Sequence, residues 1–198
     1  MILIACNTVS AAAKEDIIER SGEIPVLDVI SAGTKAALSL PKHHDIGVIG
    51  TLGTVNSGAY DASIHAIDPS SKVISQACPL LVPLAEEGWI DNDVALQTLR
   101  HYLEIFDNSP VQSLILGCTH YPLFKEVIPK VLHNGNIEII DSAESIAQSA
   151  KETLEELELL NEHGGKFTCF VSDRPQRFQE LAERFLGKAL NGTEVVSL

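Results

Sequence analysis

The feature that most constrains this chain is an alternation. Short apolar, β-branched runs near 2–5, 25–29, 45–50, 72–76, 112–116, 137–141, 167–171 and 193–196 are separated, in most cases, by stretches with helical patterning. Such alternation predicts mostly parallel sheets with crossover helices, right-handed where the strands are parallel, and therefore an α/β fold. Helix starts are expected at Thr8 and Ser10, at Ser142 after Asp141, and at Ser172-Asp173 with Pro175, because these residue types satisfy the free N–H groups of a first turn. Glu152, Glu155, Glu156 and Glu158 read as a solvated face and not a metal site, since no histidine is interleaved with them.

Two of the strands end in the same way. Ile2-Leu3-Ile4-Ala5-Cys6-Asn7-Thr8 and Leu114-Ile115-Leu116-Gly117-Cys118-Thr119-His120-Tyr121-Pro122 each place a cysteine where an apolar strand stops and polar residues follow. Such a position lies in the loop at the carboxyl edge of a sheet, where open α/β proteins bind small ligands. Two such cysteines imply one site with two thiols. The repeat, joined to the α/β alternation, implies two related halves whose sheet edges face each other across a cleft. The chain enters the second half near Ser31-Ala32-Gly33 and returns near Asp141-Ser142, so the expected domains are 1–30 with 140–198, and 31–139.

Composition narrows the classes. A chain of 198 residues, 45% apolar, with mean hydropathy +0.13, can bury a substantial core. No run approaches the roughly 18 apolar residues of a membrane span, and no basic region precedes the first apolar strand, so a cytoplasmic protein is expected. Cys6, Cys78, Cys118 and Cys169 show neither a CxxC pair nor metal-ligand spacing, which favours reduced thiols over disulfides or zinc. A formal net charge of −13 argues against nucleic acid and anionic membranes as partners. An anionic substrate would have to be attracted locally, by N–H groups at helix starts.

A thiol titrates near pKa ~8.5, and a helix N-terminus or a nearby cation lowers it, so one cysteine can serve as thiolate base while its twin remains a thiol acid. On opposite faces of a carbon acid, such a pair removes a proton from one side and delivers one to the other, which inverts a stereocentre. Cys169, within Phe167-Thr168-Cys169-Phe170, and Cys78, before Pro79, read instead as buried small hydrophobes. The neighbours of Cys6 and Cys118 are Asn7, Thr8, Thr119 and His120, hydrogen-bonding residues suited to holding a carboxylate or ammonium group. His120 is placed to hold the proton of Cys118 or to stabilise its thiolate. Glu86 follows an apolar segment at an expected helix start, where it either orients His120 or favours the helix dipole. Gly47-Val48-Ile49-Gly50-Thr51-Leu52-Gly53-Thr54 lacks the ending of a P-loop and the dinucleotide glycine spacing. It reads as a strand and tight loop binding a small anion, with Thr54, and with it Thr51, in the site.

The ACNT and GCTHYP stretches, together with GVIGTLGTVNSGAY, CPLLVPLAEEG and FVSDRPQRFQELAERFLG, closely resemble the glutamate racemase family along essentially the whole chain. ACNT alone would fit other amino-acid racemases, including aspartate racemases. The resemblance implies a cofactor-independent isomerase that interconverts L- and D-glutamate and supplies D-glutamate for peptidoglycan. Cys6 and Cys118 would be its acid–base catalysts, Asn7, Thr8, Thr119 and His120 its glutamate contacts, Thr54 a further contact, and Glu86 the partner of His120. It also implies two pseudosymmetric, doubly wound domains with the site between them, no PLP and no metal, and glutamate as partner, with a homodimer as the assembly to test.

One departure stands out. Family members carry, before the ACNT strand, another strand with an Asp-Ser pair and a Pro-Tyr-Gly loop, and neither precedes Met1 here. The expectation that follows is an incomplete first domain with an exposed apolar sheet edge, and weak activity from this polypeptide alone. The competing reading is a truncated, catalytically impaired remnant or binding protein on the racemase fold. A thiol redox sensor is a third, for which the cysteine spacing offers no support.

Overall fold

The computed structural model describes residues 1–41, 44–133, 137–161, 163–190 and 192–197. By internal contacts they form two units, Met1–Glu158 and Leu159–Leu198, each taken by itself below.

The first unit runs β1 (Ile2–Ile4), α1 (Asn7–Ser21), β2 (Val26–Asp28), α2 (Val29–Leu38), β3 (Asp45–Gly50), α3 (Leu52–Asn56), α4 (Ala59–Ile67), β4 (Lys72–Ala77), α5 (Leu81–Glu87), α6 (Asp93–Asp107), β5 (Ser113–Gly117), a 3₁₀ turn (Tyr121–Phe124), α7 (Ile128–Val131), β6 (Glu138–Asp141) and α8 (Ser142–Glu156). β1 pairs with β2, and the larger sheet has the order β4-β3-β5-β6, every pairing parallel. The fold is α/β with parallel sheets, as the alternation predicts. In the second unit β7 (Cys169–Val171) and β8 (Thr193–Val195) pair in parallel with α9 (Pro175–Leu186) between them in sequence. Among the described residues no helix is long and apolar enough to cross a membrane.

The four-stranded sheet is covered on both faces, so its central strands are apolar at nearly every position rather than alternating. Every residue of β5 is buried, as is β3 beyond Asp45. Successive side chains go to opposite layers: Leu114 and Leu116 pack with Leu99, Leu103, Phe106 and Phe124, whereas Ile115 packs with Ile46, Val48, Tyr60 and Ile64. β1 is built differently. Ile2 and Leu3 are 36% and 45% exposed, and only Ile4 is buried.

The helix starts differ from expectation in instructive ways. At α1 the cap residue is Cys6, without a side-chain cap bond, because Thr8 and Ser10 hydrogen-bond elsewhere: Thr8 to threonines of the next loop, and Ser10 back to the Ile4 carbonyl. At α8 the cap is Asp141, whose carboxylate accepts from the Ala143 N–H, while the Ser142 hydroxyl donates to the Leu116 carbonyl. At α9 neither Ser172 nor Asp173 caps. The cap position is Arg174, left-handed at φ 45°, and Asp173 accepts its N–H. Asp28 caps α2 through the N–H groups of Ile30 and Ser31 and forms an ion pair with Lys14 at 2.8 Å, which ties α1 to α2. Burial works against the Asp28 charge, but hydrogen bonds from Lys14 and Ser31 outweigh it and hold the carboxyl below its ordinary range.

Candidate active site

Parallel strands bring their carboxyl ends to one edge, and three loops meet there. Cys6 follows β1, Thr51 follows β3 and Cys118 follows β5. Gly50 and Gly117 are partners in the β3–β5 register, so Thr51 and Cys118 are the next residues on adjacent strands. Gly117 has no room for a side chain: an added Cβ would stand 2.8 Å from the Ile49 carbonyl oxygen and 3.0 Å from Tyr60 Cε2. The loop carrying Cys118 therefore lies hard against the sheet edge.

A cleft of about 210 Å³ is lined by Cys6, Asn7, Thr8, Thr51, Val82, Cys118, Thr119 and His120. Both cysteines of the repeated strand endings thus share one wall set with four of the polar neighbours read from sequence. The hydroxyl of Thr119 donates to the Ala5 carbonyl at 3.1 Å and so links the loop of Cys118 to the loop of Cys6. Thr8, Thr51 and Thr54 form a hydroxyl triangle at 3.1, 3.3 and 3.1 Å. Thr51 is on the cleft wall, while Thr54, 1% exposed, stands behind it as the inner member of the triangle.

Asn7 is 2% exposed, and its Oδ1 accepts a 2.7 Å hydrogen bond from the Tyr60 hydroxyl. Its Nδ2 is buried and has no partner among the described residues. An unmade amide hydrogen bond of this kind costs about 1–3 kcal/mol, which a ligand acceptor would recover.

The two thiols differ in environment. Cys6 is exposed and Cys118 is buried. Burial pushes the Cys118 thiol up to about 11, against hydrogen bonds from the His120 and Tyr121 backbones, with the charge of Cys6 adding to the rise. Next to it His120 places Nδ1 4.0 Å from Cys118 Sγ and Nε2 3.5 Å from Glu86 Oε1. This is a carboxylate–imidazole–thiol line. Glu86 is next to last in α5, far from the helix start expected for it, so it is not placed to favour the dipole at that helix's N-terminus, and its carboxylate lies beside His120. Cys78 is fully buried and pushed up to about 12, first by burial and then by the charge of Cys118, in keeping with a core role. Cys169 belongs to the second unit. Among the described residues no cluster of three or more His, Cys, Asp or Glu is arranged to hold a metal ion.

Val82 and Tyr60 join the site although the sequence reading gave neither a role; both lie within stretches that carry the family resemblance. Val82 is one apolar residue in an apolar segment and carries no chemical signal. Tyr60 announces itself only as an aromatic within a short helix, and its contact with Asn7 spans 53 positions.

Known proteins match this chain along its length. A profile of the family described as Asp/Glu/Hydantoin racemase matches residues 1–150. The chain is 43% identical to a glutamate racemase of Neisseria meningitidis serogroup C / serotype 2a over 199 residues, covering 100% of this chain and 73% of the relative. It is 42% identical over 200 residues to one from Syntrophus aciditrophicus, with the same coverage. Among solved structures, glutamate racemase from Francisella tularensis in complex with D-glutamate superposes with TM-score 0.91 at 38% identity, over 99% of this chain and 73% of that one. The Thermus thermophilus enzyme in complex with beta-chloro-D-alanine follows with TM-score 0.83 at 41% identity, over 99% and 72%.

Proposed function

The chain belongs to the glutamate racemases, within the Asp/Glu/hydantoin racemase family, and from that premise we infer how its own residues interconvert L- and D-glutamate. The observation that carries the reading is the shared cleft of Cys6 and Cys118, one thiol from each repeated strand ending. The remnant reading has no comparable support, since the matched relatives are racemases over the full chain.

With its pKa raised to about 11, Cys118 holds its proton at neutral pH, so it enters the reaction as the acid. In that direction Cys6 is the base. Its thiolate takes the α-proton, the carbanion-like centre is protonated from the other side by Cys118, and the proton inventory is conserved with the two roles exchanged. The reverse direction starts from the exchanged state. His120 can accept or return the Cys118 proton, and Glu86 beside its other nitrogen holds the ring in place. Charge attraction is supplied locally, because the chain as a whole, at −13, repels an anion. Asn7 Nδ2 and the hydroxyls of Thr8 and Thr51 are the donors offered to the carboxylates, with Thr54 orienting the pair from behind and Thr119 holding the loops together.

The wider reading is a cytoplasmic enzyme that supplies D-glutamate for peptidoglycan, works without cofactor or metal, and has as partners glutamate and a second copy in a homodimer, with no nucleic acid. The proposed division is 1–30 with 140–198, and 31–139; the separation of the β1–β2 sheet from the four-stranded sheet supports its boundary near residue 30. The test is incubation with D-glutamate in D2O without added cofactor, following α-proton loss by NMR and optical activity by circular dichroism. Inversion that disappears in Cys118→Ser is expected; inversion that survives the substitution overturns the two-thiol assignment.

A further inference from the structure

We propose that Tyr60 is a positioning residue for this reaction, its hydroxyl fixing the Asn7 amide so that Nδ2 is the end left to donate to a substrate carboxylate. The proposal rests on the racemase reading above and adds to it a residue that touches neither substrate nor thiol.

A primary amide has two ends of similar shape and opposite hydrogen-bonding character, so something must choose between them. Tyr60 makes the choice. It is 2% exposed on α4, and its hydroxyl stands 2.7 Å from Asn7 Oδ1. Burial, followed by the charges of Asp28 and Cys118, pushes its pKa far upward, so the hydroxyl keeps the proton that it donates to Asn7 Oδ1. With Oδ1 engaged, Nδ2 remains buried and without a partner among the described residues, on a side chain that forms part of the cleft wall next to Cys6. Buried donors in native proteins find partners, and the partner that fits here is an anionic oxygen.

The ring of Tyr60 has a second contact. Its Cε2 lies 3.0 Å from where a Cβ on Gly117 would stand, so it packs on the backbone just before Cys118. One side chain therefore abuts the residue after the first cysteine and the residue before the second. Phenylalanine keeps the ring and loses the hydroxyl, which separates the two contacts.

In the full chain, Tyr60→Phe should raise KM for D-glutamate about five- to tenfold and leave kcat within about threefold, the pattern of a lost interaction made equally in ground and transition states. Ile64→Val, in the same buried cluster, should leave KM unchanged although it also loosens packing. In an Asn7→Ala background, Tyr60→Phe should add nothing to KM, because its effect passes through the amide. Asn7→Asp keeps an acceptor for Tyr60 and removes the donor, and should raise KM at least tenfold while melting near the wild-type temperature. That variant decides the matter should Tyr60→Phe fail to fold. A folded Tyr60→Phe with wild-type KM, an equal effect with Asn7 absent, an equal effect from Ile64→Val, or a wild-type KM in Asn7→Asp each overturns the proposal. Failure of the racemase reading is separately visible, as absence of turnover in the wild-type chain. The same variants then report through calorimetric binding of D-glutamate, and no binding by the wild type overturns both.

Discussion

The two cysteine loops begin from the same sequence grammar and end in different physical states. Cys118 leaves β5, a strand buried at all five positions and paired on both sides, and its thiol is 6% exposed. Cys6 leaves β1, a strand with one described pairing and two exposed residues, and is itself exposed. A motif read from sequence thus sets where a thiol is placed, while the neighbouring strands set how much water it sees and hence how tightly it holds its proton. For a reaction needing one acid and one base, that difference is an asset: two chemically identical side chains start in unlike protonation environments without any cofactor.

The largest expected effect tests whether both halves of the comparison belong to one reaction. Cys6→Ser and Cys118→Ser should each lower kcat/KM by about 10³-fold or more in both directions, since a hydroxyl is a far weaker acid than a thiol and the reaction uses each residue once per turnover. Polarimetric progress curves from either enantiomer measure this. If one variant retained near wild-type rates, the paired-loop comparison would collapse to a single-base mechanism.

Next in size is the contrast in insulation. Leu114→Ala, at a fully buried position of β5, should lower unfolding free energy by about 2–5 kcal/mol, whereas Leu3→Ala, 45% exposed on β1, should cost less than about 1 kcal/mol. Urea titrations of the two variants give the comparison directly, and similar losses would mean that β1 is far better covered than its exposure indicates.

Alkylation reads the same contrast at the thiols. With a pKa of about 11, Cys118 is a thiolate in only about one molecule per thousand at pH 8, and its rate of modification by iodoacetamide should climb roughly tenfold per pH unit from there. Mass spectrometry of quenched samples should find Cys6 modified first. The sign of the stability effect follows from linkage. Unfolded thiols titrate near 9.0, while the folded chain keeps the Cys118 and Cys78 protons to about 11 and 12, so stability is undiminished below pH 9 and falls as pH rises beyond it. Rapid labelling of Cys118 at pH 7 would remove the basis for calling it the resting acid.

Much of the molecule is legible in its sequence. The strand reading at 45–50 coincides with β3, and those at 72–76 and 112–116 fall within a residue of β4 and β5, because strands covered on both faces are continuous apolar runs bounded by polar turns. Capping is less legible, since long-range partners compete for the same hydroxyls: Thr8 turns to Thr51 and Thr54, 43 and 46 positions away. Glu86 sits elsewhere on its helix than expected for a local reason. The apolar segment read as leading up to a helix start is itself helical: α5 begins at Leu81, its first turn has no use for the N–H that Pro83 lacks, and Glu86 falls near the helix end. Tyr60 is invisible because nothing near it in sequence records its contact with Asn7. Which of the two thiols has the lower pKa is not legible in the sequence, and again the reason is long-range. A strand-end loop suggests lowering by N–H groups, and those hydrogen bonds are present, but the packing that buries the thiol outweighs them.

The smallest effect concerns the group that distinguishes the Cys118 loop. Glu86 and His120 are 29% and 26% exposed, so water screens their interaction and its loss should be modest. Glu86→Gln keeps a hydrogen-bond acceptor near Nε2 but removes the carboxylate charge. We expect kcat to fall about three- to tenfold with KM within about twofold, because the charge matters when His120 holds the Cys118 proton and not when glutamate binds. A Glu86→Gln variant that raised KM and left kcat alone would place Glu86 among the binding groups instead, and the asymmetry between the two loops would then rest on burial of Cys118 by itself.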